Sequence, residues 1–126
     1  MIVGLGIDLE ETARIRESIE KFGHRFLDKI FTPAEIAFCR GKVNEAERFA
    51  ARFAAKEAAF KALQGDWSLG LRWVDFEVSV LRNGAPELHL HGKAAEVAAA
   101  KGVRRQFVSF THTKGMVSAV VVLEKD

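Results

Sequence analysis

The sequence predicts an α+β fold: one domain over residues 1–126, with an antiparallel β-sheet packed against a long helix. Three observations carry this expectation. Apolar residues recur at helical spacing through the first half, the period drops to two after Trp73, and Asn83-Gly84 separates two strand-like runs as a hairpin turn does. The length suits one core but is short for building a deep cleft unaided, so help from neighbouring copies is expected.

Met1 to Leu9 is short, apolar and β-branched, and Gly4 and Gly6 mark it as a strand whose backbone approaches something closely. Thr12 is placed to cap a following helix, in which Ile15, Ile19, Phe22 and Phe26 recur at helical spacing and Gly23 is a breaking point. Phe31-Thr32-Pro33-Ala34-Glu35-Ile36 is a well-marked helix start: Thr32 fits the N-cap, Pro33 the first turn, Glu35 closes a capping box, and Phe31 is placed to staple onto Ile36. Asn44 with Glu47 predicts a weaker cap for the long helix through Leu63, which Gln64-Gly65 ends. From Trp73, Val74, Phe76, Val78 and Val80 alternate with Asp75, Glu77 and Ser79, and the hairpin returns through Glu87 to His91. Lys93 to Lys101 reads as a short alanine-rich helix, then Gln106–His112 and Val117–Leu123 as strands joined around Gly115.

Composition narrows the class. With 19 Lys+Arg against 17 Asp+Glu, the net charge of +2 falls short of a nucleic-acid footprint, and no zinc pattern or aromatic RNA-binding motif accompanies it. The lone cysteine, Cys39, leaves no internal disulfide and fits a reducing compartment. Residues 1–9 lack the form of a secretory leader and no apolar run is long enough to span a bilayer, so a cytoplasmic protein is expected.

The long helix carries charges at the edge of its apolar stripe. Phe49, Phe53, Phe60 and Leu63 share that stripe, while Glu57 and Lys61 lie together on its flank, one turn apart. An exposed i,i+4 ion pair is the ordinary explanation. Two features weigh against it: Lys56 projects into the aromatic stripe, where a charge must be paired or reach solvent, and Ala50, Ala54 and Ala58 leave room beside Glu57. Asp8 and Glu10 point to one side of the first strand. Taken alone they are a solvated strand end. Taken with Glu57, two or three carboxylates converging from a strand and a helix suit a magnesium ion whose shell is completed by water and substrate phosphates, with Lys61 facing the phosphates. Ser109 and Thr111 share a strand face and could offer hydroxyls to a phosphate, next to His112. His89 and His91 alternate without a third ligand, and no role is assigned to them.

Gly6-Ile7-Asp8 with Ala13-Arg14-Ile15, Phe31-Thr32 with Glu35, Arg52-Phe53-Ala54-Ala55-Lys56-Glu57-Ala58 with Lys61, Asn83-Gly84 with Pro86, and Ser109-Phe110-Thr111-His112 with Ala119 run nearly end to end. In that order they resemble the 4′-phosphopantetheinyl transferase superfamily, in its short holo-[acyl-carrier-protein] synthase form. The resemblance implies transfer of the phosphopantetheine arm of coenzyme A to a serine of apo acyl carrier protein, releasing 3′,5′-ADP. It implies Asp8 and Glu57 as Mg²⁺ ligands, Lys61 on a phosphate, His112 on the phosphate-bearing portion, and Arg52 and Thr111 among the coenzyme-binding residues. It further implies a homotrimer with sites between chains, so that Asn83, Gly84 and Pro86 of one chain lie against a nucleotide bound mainly by another. Glu10 departs from the short synthases, standing where the two-halved transferases keep a metal-binding acid; it is either a third ligand or a solvated neighbour. Phe110 replaces a small aliphatic residue.

Along the first helix Arg14, Ser18, Lys21 and Arg25 form a basic row beside the apolar one. A solvated face explains such a row, but the resemblance makes it a docking surface for the acidic carrier protein. Two other function classes fit the same residues: a module that binds coenzyme A or carrier protein without catalysis, and a metal-dependent phosphohydrolase.

Overall fold

The computed structural model describes residues 1–126. Five strands and five helices follow in the order β1 (Ile2–Glu11), α1 (Thr12–Phe22), α2 (His24–Ile30), α3 (Pro33–Cys39), α4 (Glu45–Ala62), β2 (Phe76–Val80), β3 (Pro86–Leu90), α5 (Gly92–Ala100), β4 (Arg105–Thr113) and β5 (Met116–Glu124). The α+β class and the element order agree with the sequence reading. The antiparallel pairing divides into two sheets: a three-stranded one in the order β1-β5-β4, and the β2–β3 hairpin. The Gln106 side-chain amide, donating to the Leu88 carbonyl at 3.1 Å, ties one to the other.

Helix α4 lies on the inner face of the larger sheet, and glycine sets how closely. A Cβ at Gly6 would stand 1.8 Å from the Ala58 carbonyl oxygen, and one at Gly4 would stand 2.0 Å from that of Ala62. Ala54, Ala55 and Ala58 are fully buried in this contact. The small residues read as leaving room beside Glu57 therefore serve the seating of helix on strand. Over β5, the buried Val117, Ala119, Val121 and Leu123 alternate with partly exposed neighbours and complete the floor.

On its other side α4 meets α1–α3 through Phe49, whose ring lies 4.8 Å from that of Phe31. The capping box at Thr32 forms as the sequence predicts, with Thr32 N donating to Glu35 at 2.9 Å and Glu35 N to the Thr32 hydroxyl at 3.2 Å. Glu35 does more than cap. Its carboxylate also accepts from Val78 N at 2.8 Å and pairs with Lys56 Nζ at 2.7 Å, both charges fully buried. Lys56 donates further to the carbonyls of Trp73 and Phe76. The charge in the aromatic stripe is thus paired. Removing one partner leaves the other charge buried and alone, at a cost of about 3–5 kcal/mol.

Several local expectations change. Thr12 opens α1 without capping it: Glu11 takes the N-cap position, and no side chain bonds there. Asn44 holds the N-cap position of α4, but its side-chain oxygen accepts from Arg48 Nε at 2.8 Å instead of capping the backbone. Gly23, at φ 57°, separates α1 from α2, so the row through Phe26 is not one helix face, and Phe22 is left 46% exposed. Trp73–Asp75 forms a 3-10 turn, which buries Asp75 where alternation would have faced it outward. At the end of α4, Gln64 takes φ 55°, with Gly65 N bonded to the Phe60 carbonyl and Gln64 N to that of Lys61, the expected stop.

The Gly6 contact yields a direct test. Gly6→Ala drives a methyl group into a helix carbonyl, an overpacking that should lower the unfolding free energy by about 3 kcal/mol in urea titrations. A loss below about 0.5 kcal/mol would mean that helix and strand are not in such close contact.

Candidate active site

Where β1 meets α4, Asp8 and Glu10 from the strand face Glu57 and Lys61 from the helix. Alternation puts Gly4, Gly6, Asp8 and Glu10 on the helix side of β1, so the glycines that admit α4 also bring it alongside the acids. Lys61 Nζ donates to the Ile7 carbonyl at 2.9 Å and to Asp8 Oδ1 at 3.1 Å. It therefore bonds across to the strand and forms no ion pair with Glu57, contrary to the ordinary i,i+4 account. The other Asp8 oxygen, Oδ2, is buried and has no partner.

Glu10 and Glu57 are held above their usual range. Burial raises Glu10 to about 8, helped by the negative charges of Asp8 and Glu57, while Arg14 works the other way. Burial and the Asp8 charge raise Glu57 too, offset in part by Lys61. Half-buried carboxylates that repel one another, beside a buried oxygen with no donor, fit a divalent cation. No three carboxylate, imidazole or thiolate groups converge closely enough to enclose one unaided. An ion here would take Asp8 and Glu57 as ligands and the rest of its shell from water and substrate oxygens.

A second group lies where α4 meets β2 and β4. Arg52, Gly84 and His112 line one cavity of about 270 Å³, together with Arg48, Phe38 and Phe110. The Arg52 guanidinium lies 4.7 Å over the Phe38 ring, is nearly fully buried, and leaves its Nε without a partner. Burial lowers its pKa, offset in part by the Glu35 charge, and its one hydrogen bond, at 3.2 Å to the Arg48 carbonyl, brings no carboxylate into direct contact. A buried cation in that state calls for an anion from outside the chain. His112 stands 3.5 Å from Glu47 at the cavity mouth.

Arg52 lies five residues before Glu57 and is turned about 140° from it around the helix, so the two groups sit on opposite flanks of α4. The remaining expected residues are more scattered. Thr111 points with Ser109 to the outer sheet face, away from His112. Asn83 shapes its turn by accepting from Ala85 N at 3.0 Å, and Pro86 borders a different cavity, beside Arg104–Val108. Arg14 is exposed close to Glu10, and Lys21 follows it on α1. Arg25 sits beyond the Gly23 break on α2, so the basic row is interrupted. Sequence reading missed the Glu35–Lys56 pair, although both residues had drawn attention separately, and missed Phe38 as the platform under Arg52.

A family model of the 4′-phosphopantetheinyl transferase superfamily matches residues 4–113. The chain belongs to that superfamily. Among curated relatives, the holo-[acyl-carrier-protein] synthase of Solibacter usitatus (strain Ellin6076) is 52% identical over 124 residues, covering 98% of this chain and 99% of its own. The crystal structure of the Neisseria meningitidis holo-[acyl-carrier-protein] synthase superposes with a TM-score of 0.90 at 30% identity, over 99% of this chain and all of that one. The Helicobacter pylori synthase, solved in complex with coenzyme A, superposes at 0.83 with 32% identity, over 95% of this chain and 99% of that one. The α+β architecture is thus that of the phosphopantetheinyl transferases.

The acid cluster in this transferase fold has a pH signature. With metal removed, the folded state keeps a proton on Glu10 that the unfolded chain has released, between the ordinary 4.5 and about 8. The resulting stabilisation is full below the unfolded value and is lost as pH rises through the folded one. Urea titrations in chelator at about pH 5 and about pH 9 should show that Glu10→Gln removes part of the fall in stability. An unchanged slope would place Glu10 in ordinary solvent.

Proposed function

We propose that this transferase is a holo-[acyl-carrier-protein] synthase, moving the 4′-phosphopantetheine group of coenzyme A to a serine of apo acyl carrier protein and releasing 3′,5′-ADP. Such an activity supports fatty acid biosynthesis in the cytoplasm. The observation that carries the reading is the meeting of Asp8, Glu57 and Lys61 across the β1–α4 contact, with Asp8 Oδ2 buried and open. Near-full-length relatives bear the synthase name, and a structural neighbour binds coenzyme A.

The chemistry asks mainly for charge neutralisation and in-line placement. The serine oxygen attacks the phosphorus that carries pantetheine, and the bond to the bridging oxygen breaks as 3′,5′-ADP departs. Asp8 and Glu57 would hold Mg²⁺, which supplies the electrostatic stabilisation of the phosphates. Lys61, already bonded to β1, is positioned to add a second positive charge on the phosphate side. The Glu57 carboxylate, held above its usual range by burial and the Asp8 charge, suits uptake of the serine proton. Arg52 and His112, with Gly84 and Asn83 of the hairpin turn, serve the nucleotide. Arg14, Lys21 and Arg25 serve the acidic carrier protein, with Phe22 offering an apolar contact among them.

The separation of the two groups by α4 favours a site shared between copies, and the outer sheet face supplies a surface for association. Leu5, Ile7, Leu9 and Phe107 lie there, 66%, 63%, 62% and 51% exposed, with Val120 and Val122 between them. In a homotrimer built on this face, the outward Thr111 and the Pro86 loop of one chain are free to meet a nucleotide held mainly by another.

Mass spectrometry of apo carrier protein after incubation with coenzyme A and Mg²⁺ should show a covalent phosphopantetheine adduct, absent with the folded Glu57→Gln variant. Binding without an adduct would make the chain a non-catalytic module, and free phosphopantetheine without an adduct would make it a phosphohydrolase. Ile7→Glu, on the outer face, should yield folded monomers by sedimentation and lose transfer. Full activity in a monomer would put the whole site in one chain.

A further inference from the structure

We propose that the buried Glu35–Lys56 pair is a positioning device for catalysis: it sets the rotation of α4 about its own axis, and thereby where the neighbouring Glu57 carboxylate stands relative to Asp8. The inference rests on the reading of Glu57 as a cation ligand.

The contacts that hold α4 divide into two kinds. Against the sheet, the helix presents Ala54, Ala55, Ala58 and Ala62 to Gly4, Gly6 and the apolar inward residues of β5. That surface fixes depth, and the bonds that resist rolling on this side come from one half-exposed side chain, Lys61, to the Ile7 carbonyl and Asp8. On the opposite flank Lys56 holds the Glu35 carboxylate and the carbonyls of Trp73 and Phe76, all directional contacts. Glu35 is itself pinned by Thr32 N and Val78 N, so the anchor spans α3, α4 and β2. The Thr32 hydroxyl adds a bond to Glu77 at 2.6 Å, next along the same strand.

Lever length turns this into chemistry. A side-chain tip on a helix lies about 5–6 Å from the axis, so a 10° roll moves the Glu57 carboxylate by about 1 Å. Sites of this kind tolerate about 0.5 Å, and a misplacement of about 1 Å costs on the order of 100-fold in rate. A shared cation requires both acids in place, and the nucleotide contact of Arg52 turns with the same helix, whereas carrier-protein contacts made by Arg14 on α1 do not depend on the roll of α4. Loss of the anchor should therefore appear in kcat and in the Mg²⁺ requirement before it appears in the carrier-protein KM.

The double variant Glu35→Gln/Lys56→Met removes both charges of the pair together, so neither is left buried without the other. The expected result is a folded protein with a carrier-protein KM within about twofold of the parent, kcat lowered at least about tenfold, and the Mg²⁺ midpoint raised at least about tenfold. Glu35→Asp keeps both charges but shortens the reach to Lys56 and should show the same split more weakly, so the test survives if the double variant fails to fold. A folded variant with unchanged kcat and Mg²⁺ midpoint, or with all parameters falling in step with stability, overturns the proposal. Parallel assay of Glu57→Gln separates the two failures: if that variant is fully active, the cation-ligand reading falls first.

Discussion

The rest of the molecule depends on helix α4 lying against strand β1 with no side chain between them. Gly4 and Gly6 face helix carbonyls, and any larger residue would push the two elements apart. That approach places the acid-bearing end of β1 alongside the middle of α4. Two carboxylates distant in sequence, Asp8 and Glu57, become neighbours because the residues before one and around the other are small.

Buried charge in this chain is managed in two ways. Around Glu35 and Lys56 every strong donor and acceptor is matched, and the pair closes a junction of α3, α4 and β2. At Asp8 and at Arg52 the matching stops: one carboxylate oxygen and one guanidinium nitrogen are buried with nothing bound. An unpaired buried polar atom opposes folding unless something outside the chain completes it. The two incomplete places carry opposite charge, as binding a cation at one and a phosphate-bearing nucleotide at the other requires. Their position on opposite flanks of α4 accords with the proposed sharing of the site between copies.

Much of this was legible in the sequence because it is local. The Thr32 capping box, the Gln64-Gly65 stop, the Asn83-Gly84 hairpin and the terminal strand pair depend on neighbours within a few residues, and all formed. The convergence of Asp8, Glu10 and Glu57 was also within reach, since strand and helix periods say which way each side chain points. What escaped is what only packing decides. Nothing in the local pattern joins Glu35 to Lys56, and nothing near Asp75 announces the 3-10 turn that buries it. The basic row was read as continuous because helical spacing continues through Gly23 while the backbone does not.

The measurement that bears most directly on this account is anomalous scattering from crystals grown with coenzyme A and Mn²⁺ in place of Mg²⁺. The predicted result is one ion about 2.1 Å from an oxygen of Asp8 and one of Glu57, with water and diphosphate oxygens filling the other positions. An ion held by only one of these residues, or found away from the β1–α4 junction, would contradict it.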